Sequence, residues 1–347
     1  MKKLTIFQTF ICNLTAKRMK VLFIGGSGNI SSACTNAALD KGIEVFHFNR
    51  GKTAYEKIKG LTTIQGDIEN VNDRRRLQEQ GPFDVVVSFI CFTPDQIQRD
   101  LELFNGRIKQ YVFISSATVY QKPPEHYIVT EDTPLSNPFW KYARDKIACE
   151  ETLAQLAPEN RIKYTIVRPS YTYGERWIPT AFTAREYNPV YRIRRNLPVI
   201  SHGDGQSLWV MTHNTDFAAA FVGLLGNDKA YNNHFHITSD EVMTWDQIYS
   251  TIGEVVGRKP DLIHIPSDFI ANMEPDWGAA LHGDKACSAV FDNSRIKSLV
   301  VGWKAKIPFR EGIARSIDWF ESKPERMIPN PDVEQRINRI IDRFSNL

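Results

Sequence analysis

Lys20-Val21-Leu22-Phe23-Ile24-Gly25-Gly26-Ser27-Gly28-Asn29-Ile30-Ser31 is the stretch on which the fold turns. Val21 to Ile24 is a short apolar run of the kind a buried parallel strand needs. Gly25, Gly26 and Gly28 follow at once. A helical pattern then begins, with Ala33, Ala37, Ala38 and Leu39 on its inner side. Strand, glycine turn and helix in this order predict a dinucleotide-binding turn. Gly25 serves the tight backbone, and Gly28 has no side chain to block a pyrophosphate. The phosphates would rest at the helix N-terminus, over Ser27, Gly28, Asn29 and Ile30. Ser31 stands at the third small position, where glycine is commoner, and is small enough for close helix–strand packing. A Gly-Gly-x-Gly turn also forms without a nucleotide, so the rest of the chain must be read with it.

Working outward, strands and helices alternate. Glu44 to Phe48, Thr62 to Gln65, Asp84 to Phe89, Gln110 to Ser115 and Ile162 to Arg168 read as further strands. Helical patterns fill the gaps at about 30–41, 71–80, 94–105 and 138–157. This predicts an α/β fold, a Rossmann-type doubly wound parallel sheet with helices on both faces. After Tyr173-Gly174 the pattern loosens, broken by Pro179, Pro189 and Pro198. Residues 214–225, 244–257 and 309–322 look helical, with short strands near 233–238 and 262–265. The expected organisation is an extension over 1–18, a nucleotide-binding domain over 19–175, and 176–347 mainly as a smaller substrate-binding lobe. Some segments of that lobe return to the first domain. The lobe should close a cleft over the carboxyl ends of the strands. Val333 to Phe344 reads as an amphipathic docking or dimer helix.

The chain has 347 residues, 42% of them hydrophobic and 24% charged, which suits a soluble globular enzyme. A net charge of +3 does not point to nucleic acid or an anionic membrane as the main partner. Cys12, Cys34, Cys91, Cys149 and Cys287 lie far apart, with no Cys-x-x-Cys pair. Neither a disulfide framework nor a zinc site is suggested, and buried thiols in a reducing cytoplasm are expected. No apolar run is long enough for a transmembrane helix. Lys2 and Lys3 precede Leu4 to Cys12 much as in a signal peptide, but the run is short and broken by Thr5, Gln8 and Thr9. We read it as a dispensable extension, with Met19 as an alternative start.

Tyr142 and Lys146 are four apart, so on a helix they share a face. A free tyrosine is a poor base at neutral pH. A nearby ammonium favours the phenolate and brings its pKa toward the working range. Ser115 and Ser116 end the fifth strand, at the sheet edge where such folds bind ligands. A hydroxyl there can hold a substrate oxygen while Tyr142 moves its proton.

With the glycine turn, the strand-end serine and Tyr-x-x-x-Lys in order, the chain resembles the extended short-chain dehydrogenase/reductase family. More narrowly it is similar to the NAD-dependent epimerase/dehydratase group, the UDP-galactose 4-epimerase kind, over about residues 19–320. The resemblance implies Ser116 as the family serine, Tyr142 as acid/base, and Lys146 as its partner and holder of the nicotinamide ribose. Thr118 is implied as a second hydroxyl contact. Asp67 and Ile68 would meet the adenine, Ser88 and Phe89 would line the cofactor, and the backbone at Pro169 would meet the carboxamide. It implies a small-molecule, carbohydrate-derived substrate, a homodimer as in many members, and no metal. By the same resemblance, hydride passes to the nicotinamide. It returns to the other face in an epimerase, returns after loss of water in a dehydratase, and stays on the cofactor in an oxidoreductase. Ala117-Thr118 after Ser116 follows the epimerase pattern, so epimerase ranks first and oxidoreductase second.

The second strand ends in Asn49-Arg50-Gly51-Lys52, without the carboxylate that binds the ribose 2′-hydroxyl of NAD. Arg50 can grip a 2′-phosphate, which favours NADP and leaves NAD as the alternative. At Ser207 the family pattern has an arginine for the substrate pyrophosphate; Arg192 and Arg195, with Arg194, stand nearby as replacements, and Tyr171 is a further substrate contact. His213 reads as a structural hydrogen-bonding residue. Phe48-Asn49-Arg50-Gly51-Lys52 and Asp292-Asn293 also resemble a divergent branch that includes chloroplast stem-loop-binding proteins. That raises an RNA-binding protein without turnover as the second class of function. The small net charge and the intact Ser-Tyr-Lys set stand against it.

Overall fold

The structure, a computed structural model, describes residues 18–51 and 58–347. The expected N-terminal extension up to residue 17, with Cys12, and Lys52 lie outside the described residues.

Seven parallel strands form the central sheet: β1 (Lys20–Ile24), β2 (Glu44–Asn49), β3 (Thr62–Gln65), β4 (Val85–Ser88), β5 (Gln110–Ile114), β6 (Lys163–Pro169) and β7 (Asn233–Ile237). Their order is β7-β6-β5-β4-β1-β2-β3. The chain therefore runs outward from β1 in one direction, then from β4 in the other. The crevice at the carboxyl ends of β1 and β4 is where such a reversal places a ligand.

Period-2 alternation sends each strand's side chains to two cores. Val21 and Phe23 pack with α1 (Asn29–Asp40) and with Phe217 and Phe221 from a later helix, Asn214–Phe221. Leu22 and Ile24 pack on the other face with Leu77, Leu101 and Leu153. These come from α2 (Val71–Glu79), α3 (Pro94–Phe104) and α4 (Lys141–Glu159). α4 starts three residues later than its pattern predicts. The Asn137 side chain accepts the N–H groups of Phe139 and Trp140 at 3.3 and 3.2 Å, holding them in a turn ahead of the helix.

The segment near 233–238 does not stay with the lobe but joins the central sheet as β7, beside β6. The lobe has its own core around Trp209, Trp245, Tyr249 and Ile313. Its sheets are small, the largest being Tyr171–Tyr173, Leu208–His213 and Val242–Thr244. The amphipathic tail is the helix Pro331–Ser345, which buries Val333, Ile340 and Ile341 against this lobe. Among the described residues no helix is long and apolar enough to cross a membrane, and no group of His, Cys, Asp and Glu is arranged to hold a metal.

Candidate active site

Gly25 has φ +81°, a left-handed value that disfavours any side chain, and a Cβ there would strike Ile90 at 2.4 Å. Gly26 is needed for a different reason: a Cβ would overlap the buried His47 ring at 2.5 Å. Ser31 does more than stay small. Its Oγ accepts the Gly28 N–H at 2.7 Å and donates to Gly25 O at 3.2 Å, bracing the turn from within. A Cβ on Gly28 would meet only Ser31 Oγ, at 3.4 Å, so the space over the helix N-terminus is open. A cleft of about 540 Å³ lies there, lined by Ser27, Gly28, Asn29, Arg176, Arg185 and His213. The open glycine backbone, the start of a twelve-residue helix and basic side chains fit the phosphates of a dinucleotide.

At the carboxyl end of β5 the two serines part company. Ser115 Oγ donates to Glu150 at 2.5 Å, and Glu150 pairs with Arg168 at 2.6 Å, all three buried. Ser116 Oγ instead accepts from the Thr118 N–H and Oγ1 at 3.3 and 3.0 Å, and lies against Tyr142. Burial pushes the Tyr142 phenol above its ordinary value; the Ser116 hydrogen bond pulls it down, and Asp284 and Cys149 add to the rise. Lys146 Nζ donates to Cys91 O at 2.6 Å and Ile114 O at 2.9 Å, and stands 5.8 Å from the Tyr142 ring centre. Burial lowers this ammonium to about 8. The downward pull expected on Tyr142 is thus outweighed by burial in the protein alone.

A model of the NAD dependent epimerase/dehydratase family matches residues 21–237. The chain belongs to that family. It is 24% identical over 319 residues to the chloroplast stem-loop binding protein of 41 kDa b of Arabidopsis thaliana, covering 86% of this chain and 78% of the relative. It is 24% identical over 266 residues to the 2'-dehydrokanamycin reductase of Streptomyces kanamyceticus, covering 77% and 75%. The UDP-glucose 4-epimerase of Thermus thermophilus, solved in complex with NAD, superposes with a TM-score of 0.70 at 20% identity, over 87% of this chain and 99% of that one. The last likeness shows the Rossmann-type fold.

The other residues singled out in this epimerase/dehydratase chain fall into three groups. Some reach the crevice edge. Arg50 is exposed at the end of β2, its guanidinium without a partner among the described residues; Asn49 Oδ1 accepts the Gly51 N–H at 3.0 Å. Asp67 Oδ1 accepts the Glu69 N–H at 3.1 Å, and Pro169 ends β6. Others are packed away. Ile68 is in the core with Phe48, Ser88 is fully buried facing Asp100 and Tyr111, and the Phe89 ring packs edge-on to Phe23. Asn29 also serves the fold, its Nδ2 donating to Thr172 O at 2.9 Å. Finally, the basic residues offered as substrate ligands are placed differently. Arg192 is buried, bonded to Pro198 O and Asn338 and paired with Glu334 at 2.7 Å, so it ties the tail helix down. Arg195 stacks on Tyr191 at the surface. Tyr171 donates its hydroxyl to Thr180 O and Thr183 O at 3.1 Å. His213 caps the helix Asn214–Phe221, as its structural role requires.

Asn137 escaped the sequence reading. Its Nδ2 donates to Thr118 O at 2.8 Å and Gly283 O at 2.7 Å, joining the strand-end loop, the start of α4 and the lobe. A polar Asn just ahead of the Tyr142 helix was the available signal.

The buried Glu150–Arg168 pair carries a stability prediction. Glu150→Ala leaves the Arg168 charge buried without its partner. Unfolding free energy should drop by about 3–5 kcal/mol, measured by urea denaturation. A loss below about 1 kcal/mol would put this pair with exposed ones.

Proposed function

We propose that the protein is an NAD(P)-dependent epimerase acting on an alcohol of a carbohydrate-derived substrate, with Tyr142 as the proton carrier. One observation carries this: Tyr142, Ser116 and Lys146 meet at the carboxyl edge of the sheet whose β1–α1 turn leaves glycine backbone open over a helix N-terminus. When bound, the nicotinamide supplies and accepts hydride. Tyr142 takes the hydroxyl proton and returns it. Ser116 Oγ, oriented by Thr118, holds the same substrate oxygen. Lys146, fixed by two carbonyls, stands beside the Tyr142 ring and would hold the nicotinamide ribose. A net reductase on the same residues is the second reading, favoured by the likeness to 2'-dehydrokanamycin reductase.

The cofactor is expected to be NADP, with Arg50 on the 2′-phosphate. Arg50→Ala should weaken NADP at least about tenfold and change NAD little, measured by calorimetry. Equal losses on both would remove Arg50 from that role.

The decisive experiment denatures the purified protein and identifies released nucleotide by mass. Tight retention supports an epimerase that recycles its cofactor; free exchange supports a reductase. If neither NAD nor NADP stabilises the protein at millimolar concentration, turnover falls away. Stem-loop binding, the property in the name of the Arabidopsis relative, would then come first, with RNA as the probe that tests it.

A further inference from the structure

Two lysines on the lobe side of Tyr142 are buried with little counter-charge around them. Lys122 is only 5% exposed and Lys285 only 8%. Among the described residues Lys122 Nζ has neither a carboxylate nor a hydrogen-bond acceptor; only its backbone N–H is bonded, to Ser136 O at 2.8 Å. Lys285 has one carboxylate, Asp284, 3.6 Å away. Lys285 thus has one carboxylate and Lys122 none among the described residues, and a buried cation without a counter-charge is costly.

The two lysine-bearing segments lie side by side: Lys122 is bonded through its N–H to Ser136 O, and the next residue, Asn137, donates to Gly283 O, two residues before Lys285. Burial is the main cause that lowers Lys285, Asp284 opposes it, and the Lys122 charge adds to the lowering. Lys122 and Asp284 both act on the Cys287 thiol, and Asp284 acts on Tyr142. Lys285 Nζ stands 5.3 Å from the Trp140 ring centre and 5.8 Å from that of Tyr171, and the Trp140 ring is 5.1 Å from Tyr142.

The position is built rather than incidental. Lys285 ends a single π-helical turn, Leu281–Lys285, an uncommon geometry that recurs at functional sites. Its carbonyl accepts from His202 Nε2 at 3.0 Å, Trp245 Nε1 at 3.1 Å and Ser207 Oγ at 3.3 Å. Asn137 fixes the neighbouring Gly283 to the Thr118 loop. Ser207, where the sequence pattern led us to look for a cation, thus helps to hold one that comes from elsewhere in the chain.

We infer that Lys122 and Lys285 form a receptor for a single oxyanion, a phosphate or carboxylate group of the substrate, beside Tyr142. The word substrate rests on the function proposed above; the anion site itself does not. An oxyanion there completes the charge balance, accepts from both ammonium groups, and fixes the reacting carbon relative to the Tyr142 hydroxyl.

The test uses the full chain, saturated with whichever dinucleotide it binds, with its lysines labelled with ¹³C at Cε. Inorganic phosphate and acetate are titrated separately against chloride at equal ionic strength. The Lys122 and Lys285 signals, assigned through Lys122→Met and Lys285→Met, should move together and saturate. Lys122→Met should weaken phosphate at least about tenfold and leave dinucleotide affinity unchanged. The tighter of the two anions names the group carried by the substrate. If neither lysine responds to either anion, or if Lys122→Met binds phosphate as the wild type does, the receptor does not exist. The wild-type titration stands even if a variant fails to fold. It reads lysines rather than turnover, so a failure of the Tyr142 chemistry shows up separately.

Discussion

Tyr142→Phe is expected to bind dinucleotide as the wild type does and to turn over about 10²–10⁴-fold more slowly. The ring stays, so its packing beside Trp140 and over Lys146 is kept. Only the hydroxyl that lies against Ser116 is lost. Burial holds that phenol protonated in the protein alone, so it starts as a donor. This suits the reductive direction, in which a ketone oxygen receives a proton. It also predicts that the oxidative direction speeds up with pH, since the phenol must first give up its own proton. Ser116→Ala should cost less, because Thr118 Oγ1 lies 3.0 Å from Ser116 Oγ and can take over part of its role. Both rates are read in single-turnover experiments that follow nicotinamide absorbance. Turnover by Tyr142→Phe within about tenfold of the wild type would transfer the proton to another group, with Asp284, whose charge acts on Tyr142, the first carboxylate to test.

The inner strands of the central sheet were legible because they are buried on both faces and read as apolar runs. Val85–Ser88 and Gln110–Ile114 appear within a residue or two of where their composition puts them. In the lobe the helices were legible, Trp245–Val256, Phe309–Glu321 and Pro331–Ser345 falling close to their expected places, but the small sheets were not. Its strands are short, and Tyr171–Tyr173 finds its partner in Leu208–His213, a pairing with no local signature. The same distinction runs through the candidate site. The glycine turn, Ser116, Tyr142 and Lys146 sit at short fixed spacings on a strand end or one helix face, and such spacings survive in a linear reading. The segments of Lys122 and Lys285 are brought together only by the fold, and neither lysine stands in a motif. Arg192 shows the converse. In the run Arg192, Arg194, Arg195 it looks like free positive charge, but Glu334, 142 positions on, neutralises it in the core. Periodicity can say that a residue is basic; it cannot supply a partner from another segment.

Acid should destabilise the protein strongly, well above the pH at which ordinary carboxylates titrate. His47, His202, His213 and His236 are all buried, and burial lowers each from 6.5 to about 4. Their hydrogen bonds agree with neutral rings. Thr35 Oγ1 donates to Ser31 O at 2.8 Å, so its contact with His47 Nε2 at 2.7 Å needs the proton on that nitrogen. His236 Nε2 faces Asp292 O at 2.7 Å and must donate, which leaves Nδ1 to accept from Tyr120 at 2.9 Å. A proton on Nδ1 would reverse that bond and leave the phenol proton to find another acceptor. The sign follows from linkage. Between about 6.5 and 4 the unfolded chain holds more protons than the folded one, so stability rises with pH across this window and is lost as pH falls through it. Each histidine contributes at most about 3 kcal/mol. Asp100 and Glu131, raised mainly by burial, oppose the trend. A net loss of several kcal/mol between pH 7 and 4.5 is expected, a large part of a typical total of about 5–15 kcal/mol. Urea midpoints measured across this range give the result, and their slope gives the number of protons taken up on unfolding. A flat profile down to pH 5 would mean that the four rings are already charged or solvated in the native state. The hydrogen bond between His236 Nδ1 and Tyr120 would then have to be redrawn.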